Sequence, residues 1–198
     1  MAYNPRDFYF KKAKAENFAA RSVFKLEELD ARFRILKKGD KVLDLGCAPG
    51  SWSQYVSDKV GPQGKGLGID LQRVNLTLKN VRFVQGDAFD EEVVASLARE
   101  EGIEFFDIVL SDMAPKTTGI RITDQQRSYD LSLRALDVAR VRLKVGGHFV
   151  VKFFQSEEFD EYLKTMKEVF ERVELLRPKS TRKNSFEIFI VGLKKCAL

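Results

Sequence analysis

The sequence predicts an α/β fold in which a mostly parallel sheet of seven strands is covered by helices on both faces. Short apolar segments alternate with longer segments of helical periodicity along most of the chain, as in proteins built on a parallel sheet. The last two strands are separated by a loop, so we expect them to pair antiparallel. A chain of 198 residues fits one domain with a single substantial core.

We interpret residues 1–198 as that one domain, with an N-terminal arm at 1–14 and a helix at 15–33. The arm is basic and aromatic, and basic residues continue into the helix. A second basic cluster lies in a polar loop near the C-terminus. Such clusters ordinarily form solvated surface, but aromatic residues interleaved with the first favour contact with a nucleic acid. The first cluster is Arg6, Lys11, Lys12, Lys14, Arg21 and Lys25, interleaved with Tyr3, Phe8, Tyr9 and Phe10; the second is Arg177, Lys179, Arg182 and Lys183.

The remaining elements follow from apolar segments bounded by turn residues. Glycine and proline at 61–64 end one helix, and Gly146 and Gly147 precede a buried strand. Glu91 and Glu92 fall in the first turn of a helix, where the helix dipole favours acidic residues. The expected strands are 41–45, 65–70, 81–85, 105–110, 148–153, 173–177 and 186–193, and the further helices are 51–60, 91–101, 125–143 and 159–170.

Several classes of protein are excluded by what the sequence lacks. It has no apolar segment long enough to cross a bilayer and no secretory signal at its N-terminus. Its two cysteines, Cys47 and Cys196, provide neither a disulfide framework nor a metal site. We therefore expect a cytoplasmic protein without a metal.

Acidic residues follow four successive predicted strands or lie at their ends. They are Asp44, Asp70, Asp87 and Asp112. Ligands of such folds bind at the carboxyl ends of the strands, so these carboxylates predict a binding site there.

The turn after the first strand indicates which ligand this is. Gly46, Ala48 and Gly50 allow the backbone to approach a ligand closely. The spacing is not the three-glycine dinucleotide pattern, and the Lys-Ser/Thr pair of a phosphate-binding loop is missing. Asp44 suits an ammonium group and not a phosphate. S-adenosylmethionine carries an ammonium group and no phosphate, and we predict that it is the cofactor.

The other acidic residues and the single tryptophan extend this prediction. Asp70 is placed to bind the ribose hydroxyls and Asp87 the adenine amino group. Trp52 is placed to contact the methionine end. The alternatives are ordinary ones, namely a helix cap for Asp87 and a core residue for Trp52.

Five segments closely resemble the FtsJ/RrmJ-type ribose 2′-O-methyltransferases, over about residues 8 to 193. They are residues 21–26, 44–54, 111–115, 151–152 and 185–187. The resemblance implies a Rossmann-like S-adenosylmethionine-dependent methyltransferase fold. It also implies a catalytic tetrad of Lys25, Asp112, Lys152 and Glu187, and cofactor contacts at Gly50, Trp52, Asp70, Asp87 and Asp112. Ser51 departs from the family, because bacterial members often have a second glycine there.

The chemistry of methyl transfer to a hydroxyl agrees with this tetrad. The reaction needs positioning and a base that takes the hydroxyl proton. The only histidine, His148, is expected to be structural, which leaves Lys152 as the proton acceptor. Burial and the nearby cation Lys25 both favour neutral Lys152, whereas Asp112 and Glu187 favour the charged lysines, so we expect the four to titrate as a coupled unit.

The resemblance also suggests the substrate. Family members of this size methylate a uridine ribose in 23S ribosomal RNA, and we expect the partner to be large-subunit ribosomal RNA or its precursor particle, with no obligate protein partner. Transfer RNA remains an alternative acceptor. A different class of function is also an alternative: the protein would be a non-catalytic RNA-binding or assembly factor. The full tetrad argues against this. A protein or small-molecule methyltransferase would need a recognition element that the sequence does not show.

Overall fold

The computed structural model describes residues 8–116, 118–182 and 185–197. Within them helices and strands alternate as predicted. The helices are α1 (Phe8–Ala15), α2 (Val23–Phe33), α3 (Ser51–Val60), α4 (Glu91–Glu100), α5 (Arg121–Arg142) and α6 (Phe159–Val169). The strands are β1 (Lys41–Leu45), β2 (Lys65–Asp70), β3 (Val81–Gln85), β4 (Phe106–Ser111), β5 (Leu143–Phe154), β6 (Phe170–Leu176) and β7 (Glu187–Lys195).

The strands form one seven-stranded sheet in the order β3-β2-β1-β4-β5-β7-β6. The pairs among β1 to β5 are parallel, and β7 runs antiparallel to both β5 and β6. This confirms the predicted fold class. The sequence does not indicate that β7 lies between β5 and β6, but burial explains it. Most of β7 is buried, whereas β6 has several exposed residues, as expected of an edge strand.

Two apolar cores cover the faces of the sheet. Residues of α1, α2 and α3 pack on one face, which includes Val150, Phe189 and Val191. Residues of α4, α5 and α6 pack on the other, which includes Val151 and Ile190. Neighbouring residues of β5 and β7 therefore face opposite cores, in keeping with the two-residue period of a strand.

The helix predicted over 15–33 begins only at Val23. The turn before it is held by Gln54, whose side chain accepts a hydrogen bond from the amide of Ala19 and donates one to the carbonyl of Asn17. Asn17 itself has a φ of 59°, which a helix does not allow. Part of the predicted arm is instead the short helix α1, and residues 1–7 lie outside the described part of the chain.

Among the helices of the described residues, none is long and apolar enough to cross a membrane. Both cysteines are free thiols. Within the same residues, no cluster of three or more histidine, cysteine or acidic side chains is arranged to hold a metal ion.

Candidate active site

Lys152 and Asp112 form the centre of the candidate site, at the carboxyl end of the sheet. Val151 of β5 pairs with Ser111 of β4, so the residues that follow them lie side by side. The Lys152 ammonium lies 3.0 Å from Asp112 Oδ1 and also donates a hydrogen bond to the Asp112 carbonyl. The Lys152 side chain is only 7% exposed. A buried ammonium needs such partners, which explains the pairing.

Lys25 and Glu187 complete the cluster from the opposite ends of the sequence. Lys25, in the first turn of α2, has its ammonium 2.6 Å from Glu187 Oε1 and 4.0 Å from Asp112 Oδ1. Glu187 begins β7 and pairs with Phe154 of β5. The four side chains predicted as the tetrad therefore form one chain of ion pairs. Asp112 Oδ1 faces both ammonium groups, which places the two lysines close together.

A groove of about 480 Å³ opens beside this cluster, at the carboxyl ends of the parallel strands. It is lined by five residues predicted to form the cofactor site or its turn, namely Asp70, Asp87, Asp112, Gly46 and Ala48. Asp112 belongs both to the groove and to the ion-pair cluster. A ligand in the groove would therefore lie directly beside the lysines. Met113, Leu131 and Arg134 also line it, and none of the three was predicted as a cofactor contact.

The carboxylates of the groove have partly local partners. Asp70 Oδ2 accepts a hydrogen bond from the amide of Ala48 at 2.9 Å, which stabilises the glycine turn. Asp87 is half exposed, lies 3.7 Å from the Arg134 guanidinium and accepts a hydrogen bond from the amide of Phe89. The cap of α4 is Asp90, not Asp87. Asp87 thus retains accessible carboxylate surface toward the groove.

The two glycines of the turn are required by the backbone and by close packing. Gly46 has a φ of 71°, and a Cβ atom there would lie 2.1 Å from Met113 Cγ. Gly50 has a φ of 104°, and its Cβ would lie 2.6 Å from Leu76 Cδ1. Both positions exclude larger side chains. Gly46 lines the groove, whereas Gly50 forms the bend that starts α3.

Trp52 lies in the core between α2 and the sheet, and is not among the described residues that line the groove. It is 3% exposed and its ring packs near Phe189. The indole nitrogen donates a hydrogen bond of 2.8 Å to the carbonyl of Ser22. The alternative interpretation of Trp52, a core residue, therefore describes its position.

Sequence reasoning missed the link between the cofactor turn and the lysine helix. The hydroxyls of Ser51 and Ser22 lie 2.9 Å apart, and Ser51 is buried. With the indole of Trp52, this fixes the residue before α2 to the start of α3. Lys25 follows three residues later. Ser51, the departure from the family pattern, thus contributes to the position of Lys25.

Asp44 is buried beneath the turn and accepts a hydrogen bond of 2.6 Å from the Ser53 hydroxyl. Burial, together with the negative charges of Asp112 and Asp70, raises the pKa of Asp44 to about 7. Mutual repulsion among these carboxylates would be relieved by a cation. S-adenosylmethionine carries two positive groups, an ammonium and a sulfonium, so the residues present fit this cofactor.

We expect Asp44→Asn to increase stability, and to increase it more as the pH rises. The unfolded chain loses the Asp44 proton near pH 3.8, whereas the folded protein keeps it up to about pH 7. The folded state binds more protons in between, so its free energy of unfolding falls as the pH rises, by up to about 4 kcal/mol.

Urea unfolding of both proteins from about pH 4 to about pH 8 measures this difference. The wild type and the variant must be compared because burial lowers the pKa of His148. That shift makes the free energy of unfolding rise with pH in both proteins, which opposes the effect of Asp44. If the two free energies of unfolding differ by the same amount at every pH, the raised pKa of Asp44 is contradicted.

Comparison with known proteins gives a consistent result. A family model described as FtsJ-like methyltransferase matches residues 18–195. Ribosomal RNA large subunit methyltransferase E of Bdellovibrio bacteriovorus is 57% identical over 98% of this chain and 100% of its own length. The protein of the same name from Syntrophobacter fumaroxidans is 48% identical over 98% of each chain.

Solved structures show the same fold. A ribosomal RNA methyltransferase structure from Plasmodium falciparum superposes with a TM-score of 0.82 at 29% identity, covering 91% of this chain and 100% of that one. Fibrillarin of Aeropyrum pernix, solved with bound S-adenosylmethionine, superposes with a TM-score of 0.58 at 21% identity, covering 80% of this chain and 68% of that one. The second likeness is one of fold.

Proposed function

The chain belongs to the FtsJ-like methyltransferase family, and on that basis we propose that it methylates the 2′-hydroxyl of a uridine ribose in 23S ribosomal RNA. Its methyl donor is S-adenosylmethionine. The observation that carries the proposal is the ion-pair chain of Lys25, Glu187, Asp112 and Lys152 beside the groove. A groove alone would be compatible with many methyl acceptors, whereas a buried lysine pair suits a weakly acidic hydroxyl that must lose a proton.

We assign the proton acceptor role to Lys152. S-adenosylmethionine supplies an electrophilic methyl group on a positively charged sulfur. Neutral Lys152 Nζ accepts the hydroxyl proton as the ribose oxygen attacks, and Asp112 Oδ1, at 3.0 Å, stabilises the ammonium that results. Because Asp112 lines the groove as well, it fixes the base relative to the methyl group to be transferred.

Lys25 and Glu187 orient the acceptor and control the charge of the site. The Lys25 ammonium lies 4.0 Å from Asp112 Oδ1, the carboxylate oxygen that also pairs with Lys152. Glu187, 2.6 Å from Lys25, keeps that ammonium in place. With both lysines protonated, the four-residue cluster balances two cations with two carboxylates, so that removal of any member then leaves an uncompensated charge in a largely buried site.

A basic surface beside the site supports an RNA substrate. The two basic segments of the sequence lie next to each other, because Glu28 of α2 accepts hydrogen bonds from the amides of Lys179 and Ser180. Arg21 also donates to the carbonyl of Ser180. Lysine and arginine grouped in this way suit phosphates. Arg6 and Lys183 of these clusters lie outside the described residues.

The names of the relatives favour ribosomal RNA over transfer RNA as the acceptor. The two curated relatives described above are both named ribosomal RNA large subunit methyltransferase E, and the match covers nearly their whole length. We therefore propose large-subunit RNA, or its precursor particle, as the partner, and the cytoplasm as the location. A non-catalytic assembly factor would not need Lys152 beside Asp112, so the ion-pair cluster favours an enzyme.

Purified protein incubated with methyl-labelled S-adenosylmethionine tests the choice of acceptor. Unmethylated large ribosomal subunits, free ribosomal RNA and bulk transfer RNA are offered separately. We expect label in the ribosomal substrates. Strong labelling of transfer RNA alone would overturn the ribosomal assignment, and labelling of none would contradict the enzymatic function.

A further inference from the structure

An exposed aromatic residue, Phe186, stands beside the candidate active site with an arginine stacked on it. Phe186 directly precedes Glu187 and is 52% exposed. The guanidinium of Arg121, at the start of α5, lies 4.6 Å from the centre of the Phe186 ring. The two side chains come from elements on different parts of the chain and form one platform at the edge of the site.

The backbone of Phe186 is held by hydrogen bonds on both sides. Its carbonyl accepts from the amide of Gln155, and the amide of the next residue, Glu187, donates to the Ser185 hydroxyl. Glu187 pairs with Lys25 on the α2 side of the sheet, whereas Phe186 meets Arg121 on the α5 side. The platform is thus a fixed neighbour of the ion-pair cluster and not part of it.

A second groove of about 520 Å³ adjoins the platform. Arg121 lines it together with Ile122, which is 80% exposed, and the polar side chains Gln125 and Gln155. Apolar surface next to amide groups suits a flat ring that carries hydrogen-bonding groups on its edge. The methyl transfer proposed above uses neither the residues of this second groove nor the platform.

We propose that Phe186 and Arg121 bind a base of the RNA strand next to the methylated ribose, by stacking. This inference rests on the proposed function, because it requires an RNA substrate. Bases of unpaired RNA stack on aromatic rings and on arginine planes. A base held there would anchor the strand on one side of the acceptor nucleotide, while the ribose lies at Lys152.

The chain offers a matched control for this proposal. Phe105 is also an exposed phenylalanine, at 47%, but it precedes β4 and therefore lies at the amino ends of the parallel strands, opposite the candidate site. Phe186→Ala, Phe186→Leu, Phe186→Trp and Phe105→Ala are compared with the wild type. The measurements are kcat and KM for unmethylated large ribosomal subunits, the Kd for S-adenosylmethionine, and the melting temperature.

We expect Phe186→Ala to lower kcat/KM for the RNA substrate by about 5- to 100-fold, the loss of one stacked base. Phe186→Leu should lose nearly as much, because it keeps the apolar volume but not the ring, whereas Phe186→Trp should retain activity. The Kd for the cofactor should not change in any variant. Phe105→Ala should behave as the wild type.

Two results would overturn the stacking site while leaving the proposed function intact. In the first, the wild type is active and Phe186→Ala has the same kcat/KM for the RNA substrate. In the second, Phe186→Leu is fully active, which would indicate ordinary apolar packing or a protein partner at this surface. A wild type that transfers no methyl group to RNA would instead contradict the proposed function, and this inference would fail with it.

Discussion

Lys152→Met is expected to lower kcat for methyl transfer by about 10³-fold or more, because it removes the proton acceptor. The variant keeps an unbranched side chain of similar length, so the buried site is not emptied. Asp112 retains Lys25 as a partner. Cofactor affinity should remain close to that of the wild type, since Lys152 is not among the described residues that line the groove. Single-turnover methylation and cofactor titration measure the two effects separately.

Lys144→Met is the control for this substitution. Lys144 lies in the same strand, β5, but its side chain is half exposed and pairs with Asp107 away from the groove. It should leave kcat unchanged. Full activity in Lys152→Met, or an equal loss in Lys144→Met, would remove Lys152 from the mechanism.

Gly46→Ala is expected to weaken cofactor binding by at least about tenfold and to lower the free energy of unfolding by roughly 2 to 3 kcal/mol. A left-handed φ of 71° is unfavourable for alanine, and the new Cβ would lie 2.1 Å from Met113 Cγ. Met113 lines the groove, so its displacement changes the shape of the cofactor site. Cofactor titration and urea unfolding measure both effects.

Gly102→Ala separates backbone strain from steric conflict. Gly102 has a φ of 67°, and a Cβ there meets no described atom within 4 Å. It should lose stability through the backbone alone and bind the cofactor normally. If Gly46→Ala affects the cofactor no more than Gly102→Ala does, the close approach at Gly46 has no role in the binding site.

The alternation of apolar strands and helices was enough to predict the fold class. It was also enough to place Asp70, Asp87 and Asp112 at one edge of the sheet, where the structure puts them in or beside a single groove. The alternation could not predict the order of the last two strands. β7 lies between β5 and β6 because it is the more buried of the two, and this difference in burial becomes clear only when both strands are in one sheet.

The ion-pair cluster was identified by resemblance and not by pattern. Lys25 and Glu187 are far apart in sequence, and periodicity within α2 or β7 gives no reason to pair them. Their contact of 2.6 Å depends on β7 lying next to β5, which brings Glu187 toward α2. The assignment of catalytic roles to the four residues stays a prediction.

The remaining differences have local causes. Trp52 lies in a core, because a large apolar ring with one donor is well satisfied there, where it binds the carbonyl of Ser22; its contact with the methionine end of the cofactor stays a prediction. The Ser22–Ser51 contact could not be foreseen, since small hydroxyl side chains have many possible partners. The predicted helix at 15–33 begins late because Gln54 binds the backbone before it.

The central claim, that the lysine cluster directs methyl transfer to a ribose hydroxyl, is tested by locating the methyl group in the product. Large ribosomal subunits methylated by the purified protein are digested to nucleosides and separated. We predict that the label elutes as 2′-O-methyluridine and is absent from the product of Lys152→Met. Label on a base, as in 5-methyluridine, would contradict the account.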